Sequence, residues 1–525
     1  MIYRSPYSDV EIPEISLTDF VFQHAGQDLD KPALIDGPTG RTITFGQLIG
    51  GSRKMAAGLA QRGFGKGDVF AIYSPNVPEY AIAFFGTTMI GGVVTTVNPL
   101  YTAGELTHQL NDSGARFLLT IPMFLDKALE AAEKSGVEEV FVFGEAEGAT
   151  PFVALLNNDG QVPEVEINPR DDLAVLPYSS GTTGRSKGVM LTHYNLVANM
   201  TQCEDLDQFT SDDVAIGILP FYHIYGMVVI MSFTLGKGAT VVSMPRFDLV
   251  QFLEVMEKYS VTAAYVVPPI VLALAKHPII DNYSFPKLRF VNSGAAPMPE
   301  PVANACAQRL DCVVKQGYGM TELSPVSHAT AITFPIKVTA VGPVIANTES
   351  RIVDVATGED VEPGQSGEIW VRGPQVMKGY HNRPDATAAT IDEEGWLHTG
   401  DIGYVDEDEY FYVIDRVKEL IKYKGFQVAP AELESLIQSH PAVADVAVIP
   451  SPDEEAGEVP KAFIMLKPGS SATAEQIMGF VATRVAPHKK IRRVEFIDAI
   501  PKVPSGKILR RKLVERERAA VAAAS

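Results

Sequence analysis

Residues 176–193 (LPYSSGTTGRSKGVMLTH) combine the residue types that bind phosphate groups. Their glycines let backbone amides approach an anion closely, their hydroxyls are hydrogen-bond donors, and their one lysine adds a positive charge. The spacing differs from that of a Walker A loop, which requires Gly-x-x-x-x-Gly-Lys-Ser/Thr. We therefore predict a phosphate-binding loop of another type. Its predicted contacts are Ser179, Ser180, Gly181, Thr182, Thr183 and Lys187.

Four side chains further along the chain have the chemistry that a nucleotide needs. Asp401 can accept two hydrogen bonds from ribose hydroxyls, and Arg416 can present a planar fork to ribose or phosphate. Glu322 is a candidate Mg²⁺ ligand, because this hard cation prefers carboxylate and phosphate oxygens. Tyr318 can stack on adenine. Each of the four also has a purely structural interpretation, and it is the family resemblance of the motifs around them, set out below, that implies these nucleotide roles.

Alternating strand and helix patterns must position these residues. Apolar strand patterns occur at 68–74, 116–121, 139–143, 239–243, 261–267 and 288–292, and helical patterns occur at 46–63 and 105–113. Such alternation predicts an α/β fold with parallel sheets that are covered on both faces. Short strands with Gly and Pro turns around 350–372 predict a small β-subdomain.

Residues 80–104 carry no charge, which leaves two interpretations. The segment is long enough to span a membrane. Its glycines and the Asn98-Pro99 pair instead favour a buried helix, from Pro78 to about Ile90, followed by a buried strand over residues 93–97.

Composition excludes several classes of protein. The 525 residues carry a net charge of −20, which argues against non-specific nucleic-acid binding. Three cysteines exclude a disulfide framework and indicate a reducing compartment. Because the N-terminus also lacks a basic start before an apolar stretch, we expect a cytoplasmic protein without integral membrane association.

The charge is unevenly distributed along the chain. From Arg416 onward there are 18 Lys and Arg against 13 Asp and Glu, a net of +5, whereas the remainder has a net of −25. This shift predicts a domain boundary and a small basic lid that meets a polyanionic ligand.

The motifs, taken in order, resemble those of the adenylate-forming superfamily of acyl-CoA synthetases, luciferases and adenylation domains. After the phosphate-binding segment come PFYHIYG at 220–226, QGYGMTE at 316–322, WLHTGD at 396–401, DRVK at 415–418 and PKVPSGK at 501–507. Within this superfamily, residues 267–276 (VPPIVLALAK) and 418–434 (KELIKYKGFQVAPAELE) resemble the 4-coumarate–CoA ligases. The resemblance covers nearly the whole chain, and the ordered set is far more specific than any single motif.

The resemblance implies an α/β fold of two domains. A large N-terminal domain, residues 1–415, would hold two doubly wound sheets and a β-subdomain. A small mobile α+β domain, residues 416–525, would follow a hinge near 415–418.

The resemblance also implies roles for individual residues. Catalytic roles fall on Lys507, His223, Lys422 and Gln427, and further nucleotide contacts on Gln316, Gly317, Thr321 and Lys418. The acyl pocket would be lined by Ile224, Tyr225, Val229, Asn292, Ala295, Gly319, Pro325 and Val326. CoA would contact Arg246, Lys424 and Gly425.

The activity implied is that of an acid–thiol ligase with ATP, Mg²⁺ and coenzyme A. A carboxylic acid would become an acyl-AMP and then an acyl-CoA. Gly317 and Gly319 leave room for a flat ring, and Tyr225 and Asn292 can hydrogen-bond a ring hydroxyl, which favours an aryl-propenoic acid. Plant relatives have Asn in place of Val228 and Met or Lys in place of Asn292, so a medium-chain fatty acid is the second hypothesis.

Two other classes remain as alternatives. One is an enzyme that passes the adenylate to another acceptor, and Lys424-Gly425 and the hinge disfavour it. The other is a non-catalytic binding module, which the retained lysines and carboxylates disfavour. The sequence is compatible with a monomer or a homodimer.

Overall fold

The structure is a computed structural model that describes residues 1–24, 28–179, 186–417, 419–423, 426–453, 456–485, 487–502 and 508–524. For residues 426, 427 and 521–524 the description covers the backbone alone. The strands are β1 (Tyr3–Arg4), β2 (Pro32–Asp36), β3 (Thr42–Thr44), β4 (Val69–Tyr73), β5 (Val93–Val97), β6 (Ala115–Thr120), β7 (Glu139–Val142), β8 (Thr150–Pro151), β9 (Leu173–Val175), β10 (Tyr178–Ser179), β11 (Lys187–Thr192), β12 (Val214–Gly217), β13 (Thr240–Ser243), β14 (Ala263–Val266), β15 (Phe290–Ser293), β16 (Val313–Gly319), β17 (Val326–Ala329), β18 (Glu349–Val353), β19 (Gly367–Arg372), β20 (Gly379–Tyr380), β21 (Leu397–Val405), β22 (Phe411–Arg416), β23 (Ile421–Tyr423), β24 (Phe426–Val428), β25 (Val443–Asp453), β26 (Gly457–Leu466) and β27 (Arg493–Phe496). The α-helices are α1 (Leu17–Phe22), α2 (Phe45–Gln61), α3 (Glu79–Met89), α4 (Ala103–Ser113), α5 (Leu125–Glu133), α6 (Val153–Leu156), α7 (His193–Gln202), α8 (Phe233–Gly236), α9 (Leu249–Lys258), α10 (Pro268–Lys276), α11 (Glu300–Leu310), α12 (Pro384–Ala388), α13 (Pro430–Gln438), α14 (Ala474–Ala482) and α15 (Arg510–Ala524).

The first sheet carries the predicted phosphate-binding segment at one edge. Its strand order is β10-β11-β9-β5-β4-β6-β7-β8, and β20 pairs with β11 beside this path. Strands from β9 to β8 in this order run parallel, whereas β11 runs antiparallel to β9. Helices α3, α4 and α5 provide the crossovers between the parallel strands β4, β5, β6 and β7.

The second sheet has the order β17-β16-β15-β14-β12-β13-β2-β3. It is parallel from β16 to β2, and the edge strands β17 and β3 are antiparallel to their neighbours. Helix α3 contacts α2 and strand β5 of the first sheet, whereas α2 contacts β2 and β3 of the second. A helical layer therefore lies between the two sheets, and one apolar cluster includes residues from both.

Two smaller sheets complete the fold. The antiparallel sheet β1-β18-β19-β21-β22 forms the β-subdomain, which the chain's first strand joins at one edge. The C-terminal sheet has the order β24-β23-β26-β25, with β27 beside β26, and α13, α14 and α15 accompany it. It has apolar clusters of its own. The fold is thus α/β with two large, mainly parallel sheets, as the sequence predicted.

The charge-free segment is a buried helix and strand, as predicted. Every residue of α3 from Tyr80 to Thr88 is buried, and all five residues of β5 are buried too. Within the described ranges, none of the helices is both long and apolar enough to cross a bilayer.

Candidate active site

The predicted phosphate-binding segment forms a β-hairpin. Strand β10 pairs antiparallel with β11, so Tyr178 lies opposite Gly188 and Ser179 lies opposite Lys187. A hairpin differs from the strand-to-helix loop of a Walker A motif, in agreement with the sequence spacing. Predicted contacts in the turn, namely Ser180, Gly181, Thr182 and Thr183, lie outside the described residues.

Glu322 lies on a short 3₁₀ turn, Thr321–Leu323, directly after β16. Its side chain is buried, and its Oε1 accepts hydrogen bonds from the Ser179 hydroxyl at 3.0 Å and the Tyr380 hydroxyl at 2.8 Å. The ring of Tyr380 also carries the Lys187 ammonium on its face, 4.0 Å from the ring centre. The predicted metal ligand and two predicted phosphate-binding residues thus meet around one tyrosine. Thr321 begins the same turn.

The residues around Glu322 suit the magnesium ion that the sequence implies. Both hydrogen bonds go to Oε1, and no described residue donates to Oε2. The described part of the chain contains no cluster of three or more His, Cys, Asp or Glu that could hold a metal. Mg²⁺ usually takes one or two protein carboxylates and completes its shell with phosphates and water. A single available carboxylate oxygen beside a phosphate-binding hairpin fits that preference.

A second group of contacts surrounds the predicted ribose ligand, Asp401. Strands β21 and β22 place it opposite Arg416, whose Nε lies 3.3 Å from Asp401 Oδ1. Tyr318 at the end of β16 donates its hydroxyl to Asp401 Oδ2 at 2.6 Å. Burial, and then the Asp401 carboxylate, raise the pKa of Tyr318 well above its usual value. The phenol is therefore a permanent donor, and it connects the adenine motif to the ribose motif.

Gln316 supports the nucleotide region by holding backbone. Its Oε1 accepts from the Met298 amide at 2.8 Å, and its Nε2 donates to the Val338 carbonyl at 2.7 Å. Both polar ends of this buried side chain are thereby engaged. Gln316 fixes the loop after β15 against the segment around Val338, rather than presenting a free amide to a nucleotide.

The predicted acyl-pocket residues converge beside this group. Tyr225 begins a π-helical segment, Tyr225–Ser232, that also includes Val229 and directly follows the buried Ile224. The Tyr225 hydroxyl donates to the Asn292 carbonyl at 3.3 Å and accepts from Asn292 Nδ2 at 3.0 Å. Ala295 lies in the loop after β15 with a φ of 69°.

Gly317 and Gly319 differ in what a side chain at each position would contact. A Cβ on Gly317 would lie 3.9 to 4.0 Å from the Asn292 amide and 3.4 Å from the His328 carbonyl oxygen, which are ordinary contacts. A Cβ on Gly319 would meet the Pro325 carbonyl oxygen at 2.1 Å and the Val326 Cα at 3.1 Å. Gly319 therefore allows β16 to pass close to the start of β17, whereas Gly317 lies against the residue predicted to contact a ring.

The histidine motif is held from the first sheet. Asn76, just after β4, donates its amide to the carbonyls of Gly217 and Leu219, both at 2.9 Å, and accepts from the Phe221 amide at 2.8 Å. His223 follows in this loop, and its Nδ1 accepts from the Tyr225 amide at 3.2 Å. The carboxyl ends of strands from the two sheets are thus joined next to the pocket, the usual location of α/β ligand sites.

The predicted residues of the C-terminal sheet are less closely connected to these groups. Lys422 is exposed on β23, opposite Gln427 on β24 in the hairpin register, and only the backbone of Gln427 is described. Within the described ranges, no hydrogen bond or ion pair joins the Lys422 side chain to the residues around Glu322 or Asp401. Lys418, Lys424, Gly425 and Lys507 lie outside the described residues. Arg246 is exposed between β13 and α9.

Sequence reasoning missed two residues of this site, Asn76 and Tyr380. Asn76 had a weak signal, because a polar residue just after a buried parallel strand faces the ligand edge of the sheet. Tyr380 had none, since its Gly-Tyr context occurs in many turns. Its contact with Glu322 spans 58 residues.

Comparison with protein families and curated proteins defines the relationship of this chain. The family model of the AMP-binding enzymes matches residues 21–381, and that of the AMP-binding enzyme C-terminal domain matches residues 432–507. The chain belongs to the AMP-binding enzyme family. It is 44% identical to a 4-coumarate–CoA ligase of Pinus taeda, with 98% of this chain and 97% of the relative covered. It is 45% identical to 4-coumarate–CoA ligase 1 of Petroselinum crispum over the same shares of both chains.

Solved AMP-binding structures share the fold over nearly the whole chain. The anthranilate CoA ligase AuaEII, in complex with anthranoyl-AMP, superposes with a TM-score of 0.90 at 25% identity, covering 98% of this chain and 99% of the other. ATP-bound MatB from Rhodopseudomonas palustris superposes with a TM-score of 0.88 at 29% identity, covering 96% and 99%.

Proposed function

We propose that this AMP-binding enzyme is an acid–thiol ligase that activates an aryl-propenoic acid, such as 4-coumarate or cinnamate, with ATP and transfers it to coenzyme A. One observation carries the proposal. Consecutive residues of β16 serve two neighbouring groups: Gly317 lies against the Asn292 amide of the acyl pocket, and Tyr318 is hydrogen-bonded to Asp401 of the ribose group. A substrate acid and a nucleotide would therefore meet at the end of one strand.

The two-step chemistry follows from the poor reactivity of a carboxylate. Resonance and charge protect its carbon from attack, so its oxygen first attacks the α-phosphorus of ATP and displaces pyrophosphate. The resulting acyl-AMP has a good leaving group, and the CoA thiolate attacks its carbonyl and displaces AMP. Both steps develop negative charge on phosphoryl oxygens, which preorganised cations stabilise.

Each predicted residue has a part in this scheme. The proposed magnesium ion, ligated by Glu322, would neutralise charge on the ATP phosphates. Asp401 and Arg416 hold the ribose, and Tyr318 holds Asp401 in place. His223 orients the substrate carboxylate at the junction of the two groups. Lys507 reaches the carboxylate and α-phosphate in the first step, and Lys422 and Gln427 assist there.

The choice of acid rests on a hydrogen-bond acceptor in the predicted acyl pocket, the side-chain oxygen of Asn292. The Tyr225 hydroxyl already donates to the Asn292 carbonyl, so it is occupied as a donor. Asn292 Oδ1 accepts from no residue that the structure describes, and it lies about as near to the Gly317 Cβ position as Nδ2 does. The phenolic hydroxyl of 4-coumarate could donate to this oxygen, whereas an alkyl chain would leave it unsatisfied, which costs about 1–3 kcal/mol. Cinnamate lacks that hydroxyl, so its binding rests on the room for a flat ring beside Gly317. The names of the plant relatives support the same class of acid.

A screen of pyrophosphate release, with and without CoA, tests the proposal. We expect 4-coumarate and cinnamate to release pyrophosphate far faster than hexanoate or octanoate, and thioester to form only when CoA is present. Faster turnover of the fatty acids would refute the aromatic assignment. Formation of acyl-AMP without any acyl-CoA would refute coenzyme A as the acyl acceptor.

The two-domain boundary near residues 415–418 is part of the proposal. Lys507 and Lys424 belong to the same C-terminal unit but are assigned to different half-reactions at one acyl carbonyl. A rotation near Lys418 would present each in turn. Lys418→Pro should restrict that rotation, because proline fixes φ near −65°.

We therefore expect Lys418→Pro to form acyl-AMP but little acyl-CoA. Single-turnover conversion of pre-formed acyl-AMP and CoA measures this directly. Thioester formation at the wild-type rate would disprove alternation about this hinge.

A further inference from the structure

Tyr380 is fixed in position by contacts on both sides of its backbone. Strand β20 pairs antiparallel with β11, with Tyr380 opposite Val189. The His381 amide donates to the Gly188 carbonyl at 2.8 Å, and the Tyr380 amide donates to Thr387 Oγ1 of α12 at 2.9 Å. The side chain is 6% exposed. A tyrosine so held has little freedom to leave its partners.

Two groups of opposite charge contact the two parts of this side chain. The hydroxyl donates to Glu322 Oε1, and the ring face holds the Lys187 ammonium. Among the ion pairs of the described residues, none joins Lys187 to Glu322.

That separation has a chemical consequence. If Lys187 and Glu322 paired directly, the ammonium would compete with a metal cation for the carboxylate. The carboxylate would in turn compete with phosphate for the ammonium. With the phenol between them, one oxygen of Glu322 is held by hydroxyls and the other is left for a cation. The ammonium lies on an uncharged aromatic surface, which holds it in place without neutralising its charge.

We propose that Tyr380 is a positioning residue of the adenylation step, whose hydroxyl orients Glu322 for magnesium and whose ring face holds the Lys187 ammonium beside the predicted phosphate-binding hairpin. This inference rests on the proposed function and adds a residue to it. Tyr380 touches neither the reacting carboxylate nor phosphorus in this scheme and acts through its two neighbours. Groups that orient a metal ligand in this way usually change metal affinity by about 10 to 100-fold when removed.

Two substitutions separate the two contacts. Tyr380→Phe keeps the ring and removes the hydroxyl, so it should raise the magnesium concentration needed for tight ATP binding by about 10-fold. ATP binding without magnesium should stay unchanged. Tyr380→Leu also removes the aromatic face, and we expect a further loss of about 2 to 5-fold in metal-free ATP binding. Tyr412→Phe is the matched control, since its phenol donates to Asp406 at 3.0 Å on β22.

Calorimetric titration of ATP at a series of magnesium concentrations measures these effects on the full-length chain, independently of turnover. At saturating magnesium, Tyr380→Phe should recover most of its pyrophosphate release. In a Glu322→Gln background it should have no further effect on magnesium dependence. An unchanged magnesium dependence of Tyr380→Phe would overturn the proposal, as would a uniform loss of ATP binding at every magnesium concentration, which signals a structural role.

The same titration keeps this inference distinct from the proposed function. Wild-type protein that binds ATP with magnesium but releases no pyrophosphate with any acid contradicts the ligase assignment alone. A melting temperature of Tyr380→Phe within a few degrees of wild type shows that the variant is folded. If Tyr380→Phe does not fold, Ser179→Ala provides a second test, because it removes the other hydroxyl that donates to Glu322 Oε1. This variant should show the same shift in magnesium dependence, and an unshifted dependence would refute the role of these hydroxyls.

Discussion

The predicted nucleotide contacts of the N-terminal part of the chain and Lys422 of the C-terminal sheet differ in how their side chains are held. Tyr318, Asp401, Arg416 and Glu322 hold one another or their neighbours by hydrogen bonds and are largely buried. Lys422 is exposed, and its backbone amide, not its side chain, is fixed by Glu458. Under the proposed function, the nucleotide-binding half of the site is preorganised and the catalytic half is brought to it by rotation of the C-terminal unit, so ATP can bind before chemistry begins. Substitutions in the two halves should therefore fail differently.

The largest effect is expected at Lys507, the lysine that we propose is catalytic. Lys507→Ala should retain ATP binding but slow adenylation by about 10² to 10⁴-fold, as is typical when a key electrostatic contact is removed. Pyrophosphate release at saturating acid measures the rate, and calorimetry measures ATP affinity. A rate within about a factor of two of wild type would place the catalytic cation elsewhere.

The preorganised half should lose binding and stability together. Asp401→Ala removes the acceptor of the Tyr318 hydroxyl and the partner of Arg416, so we expect ATP affinity to fall by about 10 to 100-fold and the free energy of unfolding by about 1–3 kcal/mol. Lys422→Ala is the counterpart, and it should leave both quantities near wild type while slowing adenylation. Equal losses of stability in Asp401→Ala and Lys422→Ala would contradict the expected difference between the two groups of residues.

The acyl pocket offers a smaller effect that distinguishes two neighbouring glycines. Gly317→Ala adds a methyl group at ordinary contact distance, so it should narrow the pocket and lower kcat/KM for 4-coumarate by about 10-fold while sparing hexanoate. Gly319→Ala forces a Cβ against the Pro325 carbonyl and should damage the protein for every acid alike. Steady-state kinetics with both acids decides. Equal losses for both acids in Gly317→Ala would remove it from the pocket.

A fall in pH should destabilise the fold through two buried histidines, His193 and His328. Burial lowers the pKa of His328 to about 3 and that of His193 to about 4. Because the folded pKa values lie below the unfolded value of about 6.5, these groups stabilise the fold above pH 6.5 and that stability is lost as the pH falls toward 4, at about 1.4 kcal/mol per pKa unit. Denaturant unfolding from pH 7 to pH 4.5 measures this loss. A His328→Phe variant should lose less over the same range, and an unchanged pH dependence would contradict the assignment.

Much of this architecture could be predicted from local pattern. The predicted helix ending near Ile90 and strand over 93–97 correspond to α3 and β5, and the strand patterns at 68–74 and 139–143 correspond to β4 and β7. Periodicity and turn residues are local properties, so they fix the elements to within a residue or two. The ordered motifs also led to the correct family.

The sequence did not reveal which way individual residues of β16 face, nor which residues far apart in the chain are hydrogen-bonded. Gly319 was expected to open the pocket, but its missing Cβ would face the backbone of Pro325; only the twist of β16 decides which way each glycine faces. Gln316 was expected at the nucleotide, but both ends of its amide hold backbone. Asn76 is separated from its partner Phe221 by 145 residues, and no local pattern encodes such a distance.

The bridge made by Asn76 also limits how enzymes of this architecture can exchange parts. Its side chain follows β4 of the first sheet, but it fixes the loop after β12 of the second sheet that leads to His223. A recombination point between residues 76 and 217 inherits the amide from one parent and the loop from the other. Such hybrids keep the hydrogen bonds between Asn76 and this loop only where both parents have the same residues at these positions. Crossovers outside residues 76–217 transfer the side chain and the loop together.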